Sequence, residues 1–234
     1  MAVIKVDDLL RRTVVYVNEY SADMEAGDAF AEEAKGDLLA YADAAARMVA
    51  QVAPASMQVA VTDANFSLTL EPRPDGRRHG MAALPPDYMR LIYISSSELY
   101  RPITALLPNT HPTYAMQFCP CAGVGSGAYA PLAYDVDGTV DVHSFDEDPP
   151  LTPPLYGGEE GTDETTVTMK YLVVPTVTGE GANAVYGTLK EELTDVVAMQ
   201  AAALYLSMTD NEKAGQAQQM ATGMLRGIVS EIER

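Results

Sequence analysis

The sequence predicts an α+β protein: a helical bundle made from an N-terminal helix pair and a C-terminal αα-hairpin, with an antiparallel β region inserted between them. Three observations lead there. Apolar residues recur every three or four positions at both ends of the chain, they alternate every second position in the middle, and no internal repeat links the segments. The division that follows places residues 1–54 and 183–234 in the bundle. It leaves 55–182 as a β-rich domain carrying an acidic loop at 146–164.

In Asp7–Glu19 the helical spacing is carried by Leu9, Leu10, Val14 and Val17. In Asp28–Gln51 it is carried by Phe30, Ala34, Leu38, Tyr41, Ala45 and Met48. Ser21 or Asp23 offers an N-cap between them, Pro54 ends the second helix, and Ala40 to Ala46 is small enough for close helix contact. At the C-terminus, Thr188 with Glu191 and Thr209 with Glu212 show capping-box spacing. Leu189, Leu193, Val196, Val197, Met199, Ala203 and Leu204 mark one apolar face. Ala214, Ala217, Met220, Ala221, Met224, Leu225 and Ile228 mark the next, with a tight break at Ser207-Met208-Thr209.

The middle of the chain alternates. Met57, Val59 and Val61, then Phe66, Leu68 and Leu70, read as strands. A short apolar strand follows Pro85-Pro86. Tyr134 to Val142 reads as a hairpin about Asp137-Gly138, the dipeptide a two-residue turn favours. Thr165–Pro175 is a β-branched strand with Val167, Met169, Tyr171 and Val173 on one side. Glu71-Pro-Arg-Pro-Asp-Gly-Arg-Arg, with Arg73, Arg77 and Arg78, reads as a solvated turn.

Charge excludes more than it assigns. Fifteen Lys and Arg face 33 Asp and Glu, for a net −18. Residues 102–169 alone carry −10, because no Lys or Arg stands between Arg101 and Lys170. Nucleic-acid binders cluster cations, so a DNA-binding role is not expected, nor is attachment to an anionic membrane. No stretch reaches the roughly 20 apolar residues of a membrane span, and the N-terminus lacks signal-peptide order. With 47% hydrophobic and 21% charged residues, a folded core is expected without staples. Cys119 and Cys121 flank Pro120 too closely for an unstrained disulfide and read as reduced thiols.

Chemical signatures are sparse. His79, His111 and His143 stand in turn-like contexts with no ligand-spaced partner along the chain. Gly123-Val-Gly-Ser-Gly127 has neither the Lys-Ser/Thr ending of a phosphate loop nor the register of a nucleophile elbow. Asp135, Asp137 and Asp141 around Gly138 are the candidate carboxylates for a hard cation, although their spacing is not that of an EF-hand. No catalytic residue and no cofactor follow from these patterns, and a non-enzyme is expected.

Two stretches carry a resemblance. One is Leu84-Pro-Pro-Asp-Tyr-Met-Arg-Leu-Ile-Tyr-Ile, continuing to Leu99-Tyr-Arg-Pro-Ile-Thr-Ala-Leu-Leu-Pro and His111-Pro-Thr-Tyr-Ala-Met-Gln. The other is Ala201-Ala-Ala-Leu-Tyr-Leu-Ser-Met-Thr-Asp-Asn-Glu-Lys-Ala and the helix after it. With the N-terminal helix pair before them, they resemble the ring-forming virion proteins of short-tailed phages, and in wording those of crAss-like gut phages. The resemblance covers most of the chain as an architecture and about 60 residues as wording.

The resemblance implies a non-enzymatic adaptor subunit at the portal–tail junction of a virion, assembled in the host cytoplasm. It implies a homo-oligomeric ring of about a dozen subunits closed by heterologous contacts, with the portal protein and other tail or ring proteins as partners. DNA would pass through without specific binding, which an acidic wall favours. Tyr41, Ala45, Met48, Met220, Met224, Leu225 and Ile228 are the expected core and intersubunit residues, and Tyr88, Tyr100 and Arg101 the anchors of the β region. Asp146, Glu147, Asp148, Glu159, Glu160, Asp163 and Glu164 form the expected acidic surface. Two other readings remain: a capsid-decorating or fibre-anchoring protein, and a small metal-dependent hydrolase using Asp135, Asp137 and Asp141.

Overall fold

The computed structural model describes residues 2–20, 32–73, 77–96, 99, 101–118, 131–145, 167–208 and 211–232. They form a mixed α+β protein divided into two compact units, Met1–Ala60 with Val173–Arg234, and Val61–Leu172.

The first unit begins with a short strand, β1 (Val3–Lys5), that runs directly into α1 (Val6–Tyr20); α2 (Glu32–Val52) follows. Asp7 and Asp8 lie in the first turn of α1, where carboxylates complement the exposed amides of a helix start. The apolar positions Leu9 and Val17 are fully buried, as their spacing predicts.

The second unit starts at β2 (Ala60–Asp63). It continues through β3 (Glu71–Pro72), β4 (Arg77–Ala83), β5 (Tyr88–Ser96), β6 (Leu107–Pro108), α3 (Pro112–Met116), β7 (Leu132–Val136), β8 (Thr139–Phe145) and β9 (Val167–Val173). It holds a five-stranded sheet of order β3-β4-β8-β7-β6 and a three-stranded sheet of order β2-β9-β5. The β7–β8 hairpin turns at Asp137 and Gly138, both with positive φ (52° and 80°), the pattern of the tight turn that matches strand twist. The β region is not wholly antiparallel, because β6 pairs with β7 in parallel. The Arg-rich stretch is not simply a turn either. Arg77 and Arg78 open β4, whose seven residues pair in register with β8 from Arg77↔Phe145 to Ala83↔Thr139.

Phe66, Leu68 and Leu70 are buried by alternation as expected, yet residues 66–70 form no ladder. They cross β4 at Gly80, where an added Cβ would lie 2.3 Å from the Thr69 carbonyl oxygen. Only glycine allows so close a backbone approach.

The chain re-enters the first unit through β10 (Val177–Thr178) and β11 (Val185–Lys190), then α4 (Thr194–Leu206) and α5 (Asn211–Ile232). Here the structure departs from the predicted bundle. Thr188 is a residue of β11 rather than a helix cap, and β11 pairs with both β1 and β10. Segments expected to be helical or connecting thus form a small antiparallel sheet. The helices also pair differently: α1 and α2 both pack chiefly on α4, and α5 packs on α4 as well.

α4 is the buried axis of this unit. Val196 to Ala203 are buried without a break, so it is apolar on every side and shows no stripe. Ala201, Ala202 and Ala203 let neighbours approach closely. Val17, Met199, Leu206, Ala214, Ala217 and Ala221 complete the cluster, and Tyr16, Tyr205 and Met224 pack at its edge.

Candidate functional site

Strand alternation in the second unit builds its most distinctive corner. On β8, Val140 and Val142 point to one face and Asp141 and His143 to the other. The register sets His79 of β4 opposite His143, and Tyr134 of β7 opposite Asp141. Two imidazoles, one carboxylate and a phenol therefore share one face of the five-stranded sheet.

Asp141 Oδ1 accepts from His79 Nε2 at 2.8 Å and lies 3.1 Å from His143 Nε2. The ligand atoms of the three side chains all fall within 4.8 Å of one another. His143 is completely buried, the Asp141 side chain is 2% exposed, and that of His79 is 29% exposed.

The short helix α3 covers this corner. His111 caps it, its Nδ1 accepting from the Thr113 amide at 3.3 Å, and Pro112 provides the first turn. From α3 the Tyr114 hydroxyl donates to Asp141 Oδ2 at 3.2 Å. Thr113 Oγ1 bonds the buried Tyr134 hydroxyl at 2.9 Å, and Gln117 Nε2 donates to the same hydroxyl at 3.3 Å. The rings of Phe118, Tyr134 and Tyr114 stand edge-on to His143, with centroids 5.5, 5.8 and 6.4 Å away.

Burial acts to raise the Asp141 pKa. The neighbouring His143 and His79 and the Tyr114 hydroxyl outweigh it and hold the carboxyl below its usual value. Burial pushes the Tyr114 hydroxyl up, and the Asp141 charge adds to that shift. Two imidazoles and a carboxylate are the donor set that zinc and related divalent metals take from proteins.

The three aspartates proposed from sequence do not come together as a cation site. Asp135 and Asp137 are exposed at the hairpin turn, where Asp135 Oδ1 accepts from the Gly138 amide at 3.1 Å. Asp141 joins His79 and His143 instead. Sequence separation hides His79, which is 62 residues from Asp141, whereas His143 is only two residues from it on the same strand. The signal that was available is the polar alternation of Asp141 and His143 against Val140 and Val142.

The expected interface residues scatter over several environments. Tyr41 stacks edge-on against Tyr205 with centroids 5.9 Å apart, and Ala45 is fully buried in the core. Met48 is 42% exposed and Met220 50% exposed, whereas Met224, Leu225 and Ile228 are half-buried. Tyr88 packs beside Tyr171 with centroids 6.0 Å apart, and burial lifts its hydroxyl to about 12. Arg101 is exposed beside a surface hollow of about 300 Å³ that Ile103, Leu107 and Leu132 also line. Tyr100, Cys119, Cys121, the glycines at 123–127 and the acids Asp146, Glu147, Asp148, Glu159, Glu160, Asp163 and Glu164 lie outside the described residues.

Among the described residues no helix is long and apolar enough to cross a membrane. No protein-family model matches the chain, and no curated protein matches it.

Proposed function

We propose that the chain is a non-enzymatic structural protein of a phage virion, a ring subunit at the portal–tail junction that extends the DNA channel and docks the next tail component. The observation that carries this reading is a set of large apolar side chains exposed on the helices packed around α4. Val15 of α1 is 53% exposed, Met48 and Val52 of α2 are 42% and 65%, and Met220 and Ile232 of α5 are 50% and 44%. Large apolar side chains on three helices of one unit are what a subunit-to-subunit contact would remove from water.

Two further features support the reading. The stretches Leu84–Ile94, Leu99–Pro108, His111–Gln117 and Ala201–Ala214 carry the wording that resembles phage ring proteins. The run without Lys or Arg from residue 102 to 169 suits a wall past which DNA must move, since each cationic phosphate contact would add affinity and slow passage. On this account the helices of the first unit act as the bundle that builds the ring, with the β unit presented to the tail.

A carboxylate placed on the exposed helix surface tests the reading. Met220→Glu is expected to keep the helix content and melting temperature of the parent chain while abolishing its assembly into particles. Undiminished incorporation would count against a ring contact through α5.

A further inference from the structure

We propose that His79, Asp141 and His143 form a binding site for one divalent metal ion of the zinc class. The inference is independent of the virion reading and concerns the β unit.

His143 is the first indication. It is completely buried, yet among the described residues neither its Nδ1 nor its Nε2 has a hydrogen-bond partner. A neutral imidazole carries one donor and one acceptor, and burying both unmatched is unfavourable. Nε2 does approach Asp141 Oδ1 at 3.1 Å, but not along a direction that makes a hydrogen bond. A close contact of that kind is natural between two ligands of one ion, where both lone pairs point at the metal rather than at each other.

The interatomic distances are the second. Zinc binds imidazole nitrogen and carboxylate oxygen at about 2.0–2.1 Å, so neighbouring ligands of a tetrahedral ion stand about 3.3 Å apart. The two nitrogen-to-Oδ1 distances here are 2.8 and 3.1 Å. Both would lengthen by a few tenths of an ångström around an ion, with the two imidazole nitrogens, which lie within 4.8 Å of each other, turning toward it.

Third, the support around the site has the character of an outer shell. The Tyr114 hydroxyl holds the second carboxylate oxygen, which fixes the rotamer of Asp141. His79 and His143 sit on adjacent paired strands with their rings 4.9 Å apart, so the sheet itself sets their spacing. His79 is 29% exposed, so the site is open to solvent on its side, and three protein ligands leave the fourth position of a tetrahedral ion to water.

His111 provides an internal control, because its Nδ1 is engaged with Thr113 Oγ1 at 2.7 Å and it is no member of the cluster. The test is imidazole NMR on the full-length chain, stripped with a chelator and titrated with ZnCl2. The expected result is that the His79 and His143 ring signals shift together and saturate at one equivalent while His111 stays in place, and that the melting temperature rises. His79→Gln, at the partly exposed ligand, is expected to remain folded and to lose about 100-fold or more in Zn2+ affinity. A tenfold excess of CaCl2 is expected not to displace the zinc. Zinc uptake that leaves His79 and His143 unshifted, that moves all three histidines without saturating, or that calcium reverses would place the metal on acidic side chains and overturn the proposal. So would the absence of uptake by the unmodified chain.

Discussion

His143 and Asp141, two residues apart on one strand, bring a ring nitrogen to 3.1 Å from a carboxylate oxygen in a corner where the histidine is wholly buried and the aspartate nearly so. That relationship follows from strand geometry, since residues i and i+2 share a face. The covering helix α3 closes the corner through Tyr114 and through the buried Tyr134 hydroxyl.

Tyr134 gives the first prediction. Its hydroxyl is buried and bonded to both Thr113 Oγ1 and Gln117 Nε2. Tyr134→Phe removes that oxygen and leaves a buried amide donor with one partner fewer, at a cost of about 1–3 kcal/mol. Urea denaturation should show a lower midpoint with an unchanged slope. A midpoint equal to the parent's would mean that α3 is not anchored through this hydroxyl.

Gly80 gives the second. A Cβ there meets the Thr69 carbonyl oxygen at 2.3 Å and the side chains of Leu68 and Leu70 at about 3 Å, so backbone must move. Gly80→Ala is expected to destabilise the second unit by about 1–3 kcal/mol, the usual range for overpacking. Gly215→Ala, on α5 with open space around it, should instead leave stability unchanged or slightly raised. Equal effects of the two substitutions in thermal melts would refute the close crossing at β4.

The third concerns the junction of α1 and α4. Asp195 Oδ1, in the first turn of α4, accepts from Arg12 Nη1 at 2.7 Å and from the Tyr16 hydroxyl at 3.0 Å. Arg12 and Asp195 are each close to half exposed, so Arg12→Ala should cost only about 0.2–1 kcal/mol. Asp195→Ala should cost more, because it also frees the Tyr16 hydroxyl and removes a favourable charge from the helix start. The reverse order in chemical denaturation would contradict this arrangement.

Alkaline pH supplies the fourth. Burial raises Tyr88 to about 12, and burial together with the Asp195 carboxylate raises Tyr16 to about 12. Burial and the hydrogen bond it donates to Asp43 also push the Tyr186 hydroxyl up. In the unfolded chain these phenols ionise near the ordinary value of about 10. The neutral forms are therefore favoured by folding. Their stabilisation is complete below about pH 10 and is lost as pH rises from there through about 12. Denaturation midpoints should be level from pH 8 to 9.5 and fall steadily above pH 10, and a flat profile to pH 12 would contradict the burial of these rings.

Local periodicity made much of this fold legible. Leu9 and Val17 in α1, and Ala214, Ala217 and Ala221 in α5, carry a helical stripe that matches their burial. Asp137-Gly138 marks a hairpin because its two positive φ values suit few other residue pairs. Less was legible where non-local pairing overrides local pattern. Arg77, Arg78 and His79 open a strand despite their polarity, because β8 supplies the register. Thr188 reads as a cap by spacing, but it lies within β11, the strand that pairs with β1 and β10. α4 has no polar face to reveal that three helices surround it. The His79–Asp141–His143 corner is the least visible, because Asp141 and His143 share a strand face but only sheet pairing brings His79 to them.

The virion reading is the central claim, and it reduces to a copy number. Quantitative mass spectrometry of phage particles purified from a culture that produces this chain, referenced to the portal and major capsid proteins, measures it directly. The account predicts about a dozen copies per particle, the count of a single closed ring. Hundreds of copies would move the chain to the capsid surface, and absence from the particles would contradict a structural role in the virion.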